Sequence, residues 1–521
     1  MQITGFGRPP DFADVRVSPP EFAYILPTRW ERRMEQPPQV ELPVAGPRGS
    51  ADYAGRPPEP RLGFWGWRLS VSGINTPRFL GFLLGWRMTH PFSGLKLRRL
   101  TSVALERLSE DPVVVLEGPR SVGKSTLLAE LARAVGADLL DLDDPATQEA
   151  VARDPSTFVN GPRPVFIDEY QKAPIVLDAI KAELNRDTRP GRFALTGSAR
   201  HDALPPAAQA LTGRLTRLTV HPLSQGEIDG AHEDLIERLF ADPGATVASR
   251  PMSDTPRQQY LERIVAGGFP LALAHKRTSA RNRWFDDYTS LTLERDVREL
   301  SNLRQGAQLP ALLHVLAGQS AQVLNIDRAA RAAKLDPTTA ESYTRLLEAV
   351  FLMRRLPAWG KTLTSRATAK PKLHLLDSGV AARLLRLSSD KLAQRDPTAL
   401  TELGHLLETF VVGEISKQAS WLDDITGVGH WRTHDGDEVD LVLERDDGAV
   451  LAFEVKTSAR VTGDDLRPLR KLRDATGDAF VAGIMLSLGD RSYNHEDRLY
   501  VMPVDRLWQP GQTSPALASR A

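Results

Sequence analysis

Residues 113–126, VVVLEGPRSVGKST, join a strand-like apolar run to a glycine-bent loop and then to a helix-forming stretch. The loop has the spacing Gly-x-x-x-x-Gly-Lys-Ser, which between a strand and a helix predicts a phosphate-binding loop. Gly118 and Gly123 let the backbone turn its N–H groups toward a polyphosphate without interference from Cβ atoms. The positive end of the following helix adds to the attraction for an anion.

The residues of this loop have distinct expected roles. Lys124 supplies a charge to the β- and γ-phosphates of ATP, and the hydroxyl of Ser125 ligates Mg²⁺. ATP and Mg²⁺ are therefore the expected cofactors. The candidate ATP-binding residues are Gly118, Pro119, Arg120, Ser121, Val122, Gly123, Lys124, Ser125 and Thr126.

Residues 164–169, PVFIDE, form a short apolar strand that ends in two carboxylates. Following a phosphate-binding loop, this pattern predicts that Asp168 holds the Mg²⁺ shell together with Ser125. Glu169 would then orient or deprotonate the attacking water as the catalytic residue. The alternative interpretation is that the two acids only cap the helix that follows.

A third strand, RFALT at residues 192–196, precedes Gly197 and Ser198. A hydroxyl at this strand end, from Thr196 or Ser198, is placed to sense the γ-phosphate, and Ser198 is the candidate catalytic residue. A turn built from glycine and serine is an equally good interpretation.

The composition excludes several classes of function. The chain has 521 residues, zero formal net charge and no cysteine. Without cysteine there are no disulfides, thiolate zinc sites or cysteine nucleophiles, which fits a cytoplasmic protein. Zero net charge provides no global basic field, so any nucleic-acid binding must be local. Because single cores rarely exceed about 250–300 residues, we expect several domains.

Residues 1–93 differ from the rest of the chain. Roughly a third of the 38 prolines fall in the first 60 residues, which predicts a disordered extension. The apolar run at 79–86 is far shorter than the roughly 20 residues that span a bilayer, so we expect no membrane partner. The segment is either an upstream extension before an alternative start at Met88 or an interfacial anchor.

Several further motifs, in order, resemble those of the prokaryotic AAA+-like ATPases that carry a C-terminal domain of unknown function. The resemblance extends from Leu97 to about Pro503. It implies ATP binding at residues 118–126 and hydrolysis supported by Asp168 and Glu169. The motifs are GPRSVGKST, FIDEYQKAP, LTGSAR, LTGRLTRLTVHPLS, GGFP, LERDVREL, HLLDSGVAARLL, DGDEVDLVLE and LAFEVKTS.

The same resemblance implies a catalytic arginine. Arg214, in LTGRL, would reach the γ-phosphate within the chain or from a neighbouring subunit of a homo-oligomer. Arg295 and Arg200 are alternatives for this role. The proline-rich extension has no counterpart in the family pattern.

Residues 325–356 predict a winged helix, because two helices are followed by a β-rich run. The second helix is expected to begin with Thr338 as its N-cap and to bury Ala340, Tyr343, Leu346 and Leu347. Its other face carries Thr339, Ser342 and Arg345, which would enter a DNA groove. The alternative is a structural winged domain that transmits the nucleotide state.

Residues 438–456 predict a hairpin closed by residues 446–448, with Gly448 in a left-handed conformation. This register sets Asp440 across from Glu454, with Lys456 on the same face. The opposite face is predicted to hold Val439, Leu441, Leu443, Leu451, Phe453 and Val455.

The polar face of this hairpin resembles the PD-(D/E)xK core of metal-dependent nucleases. That resemblance implies two carboxylates that hold Mg²⁺, a lysine that orients water, and Glu408 as a helix-borne acid. The alternative is an amphipathic hairpin whose charges face solvent.

These motifs predict an α/β chain built around an AAA+-like P-loop sheet. The expected domains are an extension (1–93), the ATPase core (94–232), a helical lid (233–310), a winged helix (311–370), a nuclease-like α/β domain (371–508) and a flexible tail (509–521). We expect an ATP-dependent machine or switch acting on DNA or RNA. The competing class is a signalling or assembly switch that binds a protein partner, and a small-molecule kinase is a third.

Overall fold

The computed structural model describes residues 96–509, with gaps at 201–210, 212, 298–305, 361–369 and 395. All of these residues belong to one unit, Arg87–Ala521. The extension predicted for residues 1–93 lies outside the described residues, as does the tail predicted for 509–521 apart from its first residue.

The amino-terminal part is an α/β layer built on a five-stranded sheet. Its elements are α1 (Leu100–Glu110), β1 (Val113–Glu117), α2 (Lys124–Val135), β2 (Asp138–Asp141), α3 (Pro145–Arg153), α4 (Pro155–Val159), β3 (Val165–Asp168), α5 (Ile175–Leu184), β4 (Phe193–Gly197), β5 (Leu215–Thr219) and α6 (Gln225–Asp229). The strand order is β2–β3–β4–β1–β5, and all pairs are parallel. The predicted α/β P-loop fold is confirmed.

Strand β1 explains why this sheet is covered on both faces. All five of its residues are buried. Val114 and Leu116 face one hydrophobic cluster, whereas Val113 and Val115 face another. Successive side chains of a strand point to opposite faces, so a continuous apolar run requires helices on both sides.

A helical segment follows the sheet. Its elements are α7 (Leu235–Ala241), α8 (Pro243–Ala248), α9 (Arg257–Ala266), α10 (Pro270–Ala274), α11 (Thr278–Leu291) and a π-helical turn (Thr292–Asp296). The GGFP motif separates α9 from α10. There the Gly268 N–H donates to Asp377 Oδ2 at 2.7 Å, and a Cβ on Gly267 would lie 2.2 Å from Asp377 Oδ1. Two motifs about 110 residues apart in sequence therefore meet at one buried carboxylate.

Residues 309–375 combine three helices with a small sheet. Their elements are α12 (Leu309–Ala317), β6 (Gln322–Val323), α13 (Ile326–Ala333), α14 (Pro337–Ala349), β7 (Met353–Leu356) and β8 (Lys372–Leu375). The three strands are arranged in the order β6–β8–β7. The apolar side predicted for α14 is correct, since Ala340, Tyr343 and Leu347 are buried and Leu346 packs against the same cluster.

The predicted N-cap of α14 is wrong. Asp336, and not Thr338, caps this helix, because its Oδ1 accepts the Thr339 N–H at 2.9 Å. Pro337 then occupies the first helical turn, where its missing N–H leaves no hydrogen bond unmade.

The carboxy-terminal part is a second α/β layer. Its elements are α15 (Ser378–Leu384), α16 (Ser389–Ala393), α17 (Pro397–Ala419), β9 (Ile425–Arg432), β10 (Glu438–Arg445), β11 (Val450–Lys456), α18 (Arg467–Thr476), β12 (Phe480–Ser487), β13 (Tyr493–Glu496) and β14 (Leu499–Pro503). The six strands follow the order β13–β14–β12–β11–β10–β9. The sheet is mixed, because β11 pairs with β12 in parallel and with β10 in antiparallel orientation.

The hairpin β10–β11 has the predicted register. Leu441 pairs with Phe453 and Leu443 with Leu451, and this sets Asp440 opposite Glu454. Gly448 has φ 84°, the left-handed conformation that the turn requires.

One residue of the predicted apolar face is misplaced. Leu441, Leu443, Leu451, Phe453 and Val455 contact the main hydrophobic cluster, but Val439 packs into a different cluster with Val442. The register of β10 against β9 shifts between these two valines, so simple alternation fails at that point.

In the described parts of the chain, no helix combines the length and the apolar character that crossing a membrane requires.

Candidate nucleotide-binding site

The phosphate-binding loop connects β1 to α2 as predicted. Gly123 adopts φ 95° immediately before the first residue of α2. A Cβ on Gly118 would lie 2.3 Å from the Val220 carbonyl oxygen, so only glycine fits at this position. The loop is therefore bent at one glycine and packed closely against the sheet at the other.

Lys124 is the buried cation of this loop. Its side chain is only 4% exposed, and its Nζ donates to the carbonyl oxygens of Gly118 at 3.0 Å and Pro119 at 2.9 Å. Burial lowers the pKa of Lys124 to about 8, although the Glu169 carboxylate opposes this shift. The ammonium group lies inside the curve of the loop, where the phosphates of a nucleotide are expected.

Asp168 is the last residue of β3, and Glu169 follows it. Thr196 joins them, because its Oγ1 accepts the Glu169 N–H at 2.9 Å and donates to Asp168 Oδ1. Burial raises the pKa of Asp168, while hydrogen bonds from Thr196 and Ser125 oppose the rise. Ser125 and Asp168 therefore share a hydrogen bond and present two hard oxygen ligands of the kind Mg²⁺ prefers.

Gln171 links two of the candidate catalytic residues, Glu169 and Ser198. Its Nε2 donates to Glu169 Oε2 and also to Ser198 Oγ at 3.0 Å. Glu169 itself adopts φ 53°, an uncommon conformation for a residue with a side chain. Gln171 was not among the predicted site residues, although its position two residues after Glu169 was an available signal.

The cavity beside the loop has a volume of about 760 Å³, within the range typical of ligand sites. The loop, Lys124 and Glu169 form one side of it. Leu223, Ile228 and the helix α10 supply an apolar side. Arg98 reaches the same place and donates to the Val122 carbonyl oxygen at 3.1 Å, a contact that the sequence analysis missed.

The helical segment also contacts the loop directly. Arg120 Nε donates to Asp296 Oδ1 at 2.6 Å, and Asp296 belongs to the π-helical turn of the LERDVREL motif. Arg295 lies in the same turn. A residue of the loop is thus bonded to a segment more than 170 residues later in the chain.

The other two candidate arginines lie at different ends of the sheet. The Arg200 N–H, just after β4, donates to the Ala349 carbonyl oxygen at 3.0 Å, and its guanidinium lies 5.4 Å from the centre of the Phe351 ring. Arg214 precedes β5 and donates to Asn185 Oδ1 at 2.8 Å.

Arg214 is remote from the phosphate-binding loop of its own chain. Strands β1 and β5 are parallel, with Val113 opposite Leu215 and Glu117 opposite Thr219. Arg214 is therefore at the amino end of the sheet, and the loop is at the carboxyl end, about 13 Å away at ~3.3 Å per residue. Arg214 is therefore not one of the residues that the structure brings to the loop of its own chain.

The residues predicted for a second site do come together. Asp440 Oδ2 accepts the Val455 N–H at 3.0 Å, and Lys456 Nζ donates to Glu454 Oε1 at 3.0 Å. Glu408, on α17, lies in the same cluster as Asp440.

A lysine that the sequence analysis missed occupies the middle of this second cluster. Lys372, on β8, donates from Nζ to Glu408 Oε1 at 2.6 Å and to Asp440 Oδ1 at 3.0 Å, and it also contacts Glu438. Burial lowers the pKa of Lys372, but the three carboxylates outweigh burial and raise it well above its usual value. Within the described ranges, no group of three or more acidic or histidine side chains is arranged to hold a metal ion. In this conformation the cluster does not fit the Mg²⁺ that the nuclease resemblance implies.

The face of α14 predicted to meet DNA is exposed but electrically balanced. Ser342 and Arg345 are exposed, and Thr339 is half-buried. Arg345 Nε donates to Glu341 Oε1 at 3.0 Å, and Arg355 pairs with both Glu341 and Glu348.

Three family profiles match successive parts of the chain. A profile described as an AAA domain matches residues 110–229. A domain of unknown function (DUF8612) matches residues 257–391, and a second one (DUF4143) matches residues 403–507.

Similar proteins include two from mycobacteria. Uncharacterized proteins of Mycobacterium tuberculosis and Mycobacterium bovis are each 26% identical to this chain over 424 residues, which covers 81% of this chain and 87% of theirs.

Solved structures with partial similarity include a Walker-type ATPase of Pyrococcus abyssi and AMPPCP-bound DnaA from Aquifex aeolicus. The first is 16% identical, covers 56% of this chain and 97% of its own, and has a TM-score of 0.35. The second is 14% identical, covers 48% of this chain and 86% of its own, and has a TM-score of 0.23.

The profile match agrees with the loop, the parallel sheet and the paired carboxylates described above. The chain therefore carries an AAA-type P-loop ATPase domain, followed by two domains to which no function is attached.

Proposed function

We propose that the protein binds MgATP and hydrolyses it. The observation that carries this proposal is that Lys124, Ser125 and Glu169 line one cavity of about 760 Å³, with Asp168 hydrogen-bonded to Ser125. Lys124 would neutralise the β- and γ-phosphates, and the loop N–H groups would bind their oxygens. The apolar side formed by Leu223, Ile228 and α10 would receive the base.

Two residues fit Mg²⁺, since Ser125 and Asp168 already share a hydrogen bond and both offer oxygen. When bound, Mg²⁺ would neutralise charge that develops on the phosphate oxygens. Glu169 would accept a proton from the attacking water. Gln171 and Ser198 would orient Glu169, because they form one hydrogen-bonded chain with its carboxylate.

The direct test is calorimetry and turnover on the full chain. MgATP at millimolar concentration should give a binding isotherm, and phosphate release should require Mg²⁺. If neither binding nor Mg²⁺-dependent release is detected, the proposal fails.

We infer that Arg214 acts on the γ-phosphate of ATP bound to a neighbouring subunit, because it lies at the amino end of its own sheet and the loop lies at the carboxyl end. Mixing Lys124→Ala with Arg214→Ala tests this inference. Each variant alone should be inactive, and the mixture should regain part of the activity, since some interfaces then pair an intact loop with an intact arginine. No recovery on mixing would contradict it. A parallel mixture with Arg217→Ala, an exposed arginine on β5, serves as the control.

We further propose that the nucleotide state is passed to a nucleic-acid-associated region. Residues 309–375 have the order of helices and strands expected of a winged helix, and Arg200 connects them to the end of β4. A groove of about 470 Å³ beside β9 is lined by Lys370, Trp431 and Arg432, a combination suited to a nucleic acid. DNA or RNA should then raise ATP turnover several-fold, and the effect should decrease with salt.

A switch that binds a protein partner is the second candidate. The pairing of Arg345 and Arg355 with Glu341 and Glu348 favours it, because the face of α14 then lacks the net positive charge that a DNA backbone attracts. ATP turnover that is indifferent to DNA and RNA, in a chain that still changes assembly state with nucleotide, would select this candidate.

The proposed function does not include nucleic-acid cleavage by residues 371–508, since Lys372 occupies the cluster of carboxylates that would have to bind a metal. Incubation with plasmid or RNA in Mg²⁺ or Mn²⁺, with Asp440→Ala for comparison, measures it directly.

A further inference from the structure

We propose that Lys372 is a built-in cation that occupies the position of a metal ion in the cluster formed by Glu408, Glu438 and Asp440, beside Glu454. The cluster would then take up a divalent metal only when Lys372 is withdrawn or replaced. This inference does not depend on the proposed ATPase activity.

The coordination of Lys372 is the first support. An ammonium group has three N–H donors, and here three carboxylates, those of Glu408, Asp440 and Glu438, surround Nζ. The side chain is 1% exposed, so water does not share these contacts to any extent. All three partners are oxygen ligands of the type that bind Mg²⁺ or Mn²⁺.

The second support is that Lys372 belongs to a different sheet from Asp440. Glu408 lies on α17, and Asp440 lies on β10 of the six-stranded sheet. Lys372 belongs instead to β8 of the small three-stranded sheet, where it pairs with Leu356. A displacement of one sheet relative to the other would therefore remove the cation and leave the carboxylates in place.

Unfilled binding capacity is the third support. Glu454 Oε2 is buried and accepts no hydrogen bond. The cluster contains four carboxylates, those of Glu408, Glu438, Asp440 and Glu454, but their cationic partners are three, Lys372, Arg432 and Lys456. The cluster thus has more carboxylates than its cations neutralise, and a divalent ion would supply the additional charge.

The competing explanation is a purely structural ion pair that joins two parts of the chain. Both explanations predict that removal of Lys372 destabilises the protein. They differ in what happens when metal is added, because only a metal site can replace the lost ammonium.

The test uses the full chain without nucleotide, and Mn²⁺ alone as the probe. Bound Mn²⁺ is counted by electron paramagnetic resonance for wild type, Lys372→Ala, Lys372→Met and the double variant Lys372→Ala/Asp440→Asn. The two single variants should bind one more Mn²⁺ per chain than wild type, at least tenfold more tightly than any wild-type binding at this cluster. The double variant should lose this gain.

Lys391→Ala is the matched control, because Lys391 forms an exposed ion pair with Glu402 in the same part of the chain. It should bind no additional Mn²⁺. Thermal unfolding gives an independent measurement: millimolar Mn²⁺ should raise the Tm of Lys372→Ala by several degrees more than that of wild type or of the double variant.

Three outcomes would overturn the proposal. Either Lys372 variant could bind no more Mn²⁺ than wild type, or wild type could already bind Mn²⁺ through Asp440 with the affinity of Lys372→Ala. Failure of both Lys372 variants to fold even in Mn²⁺ would also count against it, since the metal should substitute for the missing cation.

Discussion

Lys124 and Lys372 are two of the buried lysines in the described part of the chain, and they are in opposite electrostatic situations. Lys124 donates to two backbone carbonyls beside an open cavity, and burial lowers its pKa to about 8. Lys372 donates to carboxylates in a closed cluster, which raise its pKa well above the usual value.

The site around Lys124 is therefore arranged to receive an anion, whereas the charges around Lys372 are already paired within the protein. Around Lys124 the acids stand apart from the ammonium, so a polyphosphate could enter between them. Around Lys372 the carboxylates contact the ammonium group directly, so no space is left between them for a ligand. Similar residue types therefore do not imply similar chemistry, because the atoms that each ammonium contacts decide what can bind.

The largest effect is expected for Glu169→Gln. ATP binding should persist while turnover falls by about 10²–10⁴-fold, because the general base is lost but the phosphate contacts remain. Phosphate release and calorimetry with MgATP measure the two quantities. Glu106→Gln, an exposed glutamate on α1, is the control. A fall of less than threefold would remove Glu169 from its proposed role.

Lys124→Ala should weaken MgATP binding by roughly 10- to 150-fold, since a hydrogen bond to a charged group is worth ~1.5–3 kcal/mol. Calorimetry measures the affinity, and Lys181→Ala provides an exposed lysine for comparison. Equal affinities for the two variants would mean that the loop does not bind the nucleotide as described.

The second cluster should give the protein a distinctive pH dependence. The pKa of Glu454 is about 8 when folded, against an ordinary 4.5, so between these values the folded state binds more protons than the unfolded one. Its contribution to the unfolding free energy should therefore fall as pH rises from about 5 to 8, by at most ~1.4 kcal/mol per pH unit. Urea denaturation should show a smaller fall for Glu454→Gln, and an unchanged slope would contradict this assignment.

The smallest effect is expected for Arg345→Ala. Its ion pair with Glu341 is exposed, and such pairs contribute about 0–1 kcal/mol. The unfolding free energy should change by less than about 0.5 kcal/mol, measured by urea denaturation beside Arg331→Ala. A loss above 1 kcal/mol would show that exposed and buried ion pairs in this protein are less different than we infer.

Local patterns predicted the phosphate-binding loop and the β10–β11 hairpin correctly. In both, the decisive signals lie within about twenty residues: Gly123 and Lys124 for the loop, and Gly448 for the turn. The N-cap of α14 could also have been predicted locally, because Asp336 precedes a proline. Asp336 and Thr338 are both residue types that cap helices, and the prediction of Thr338 was wrong.

Contacts between distant segments could not be predicted in the same way. Nothing near Lys372 indicates that Glu408 and Asp440 will surround it, since these residues come from three different elements. The distance of Arg214 from the loop likewise follows from the parallel pairing of β5 with β1 and not from its motif.

The sequence by itself determined the phosphate-binding loop, its acidic partners and the alternation of strands and helices, because backbone conformation and side-chain periodicity are local properties. Only the tertiary structure decided which cation reaches which carboxylate. The physical reason is that electrostatic interactions act through space between atoms a few ångströms apart. The fold brings such atoms together irrespective of how far apart they are along the chain.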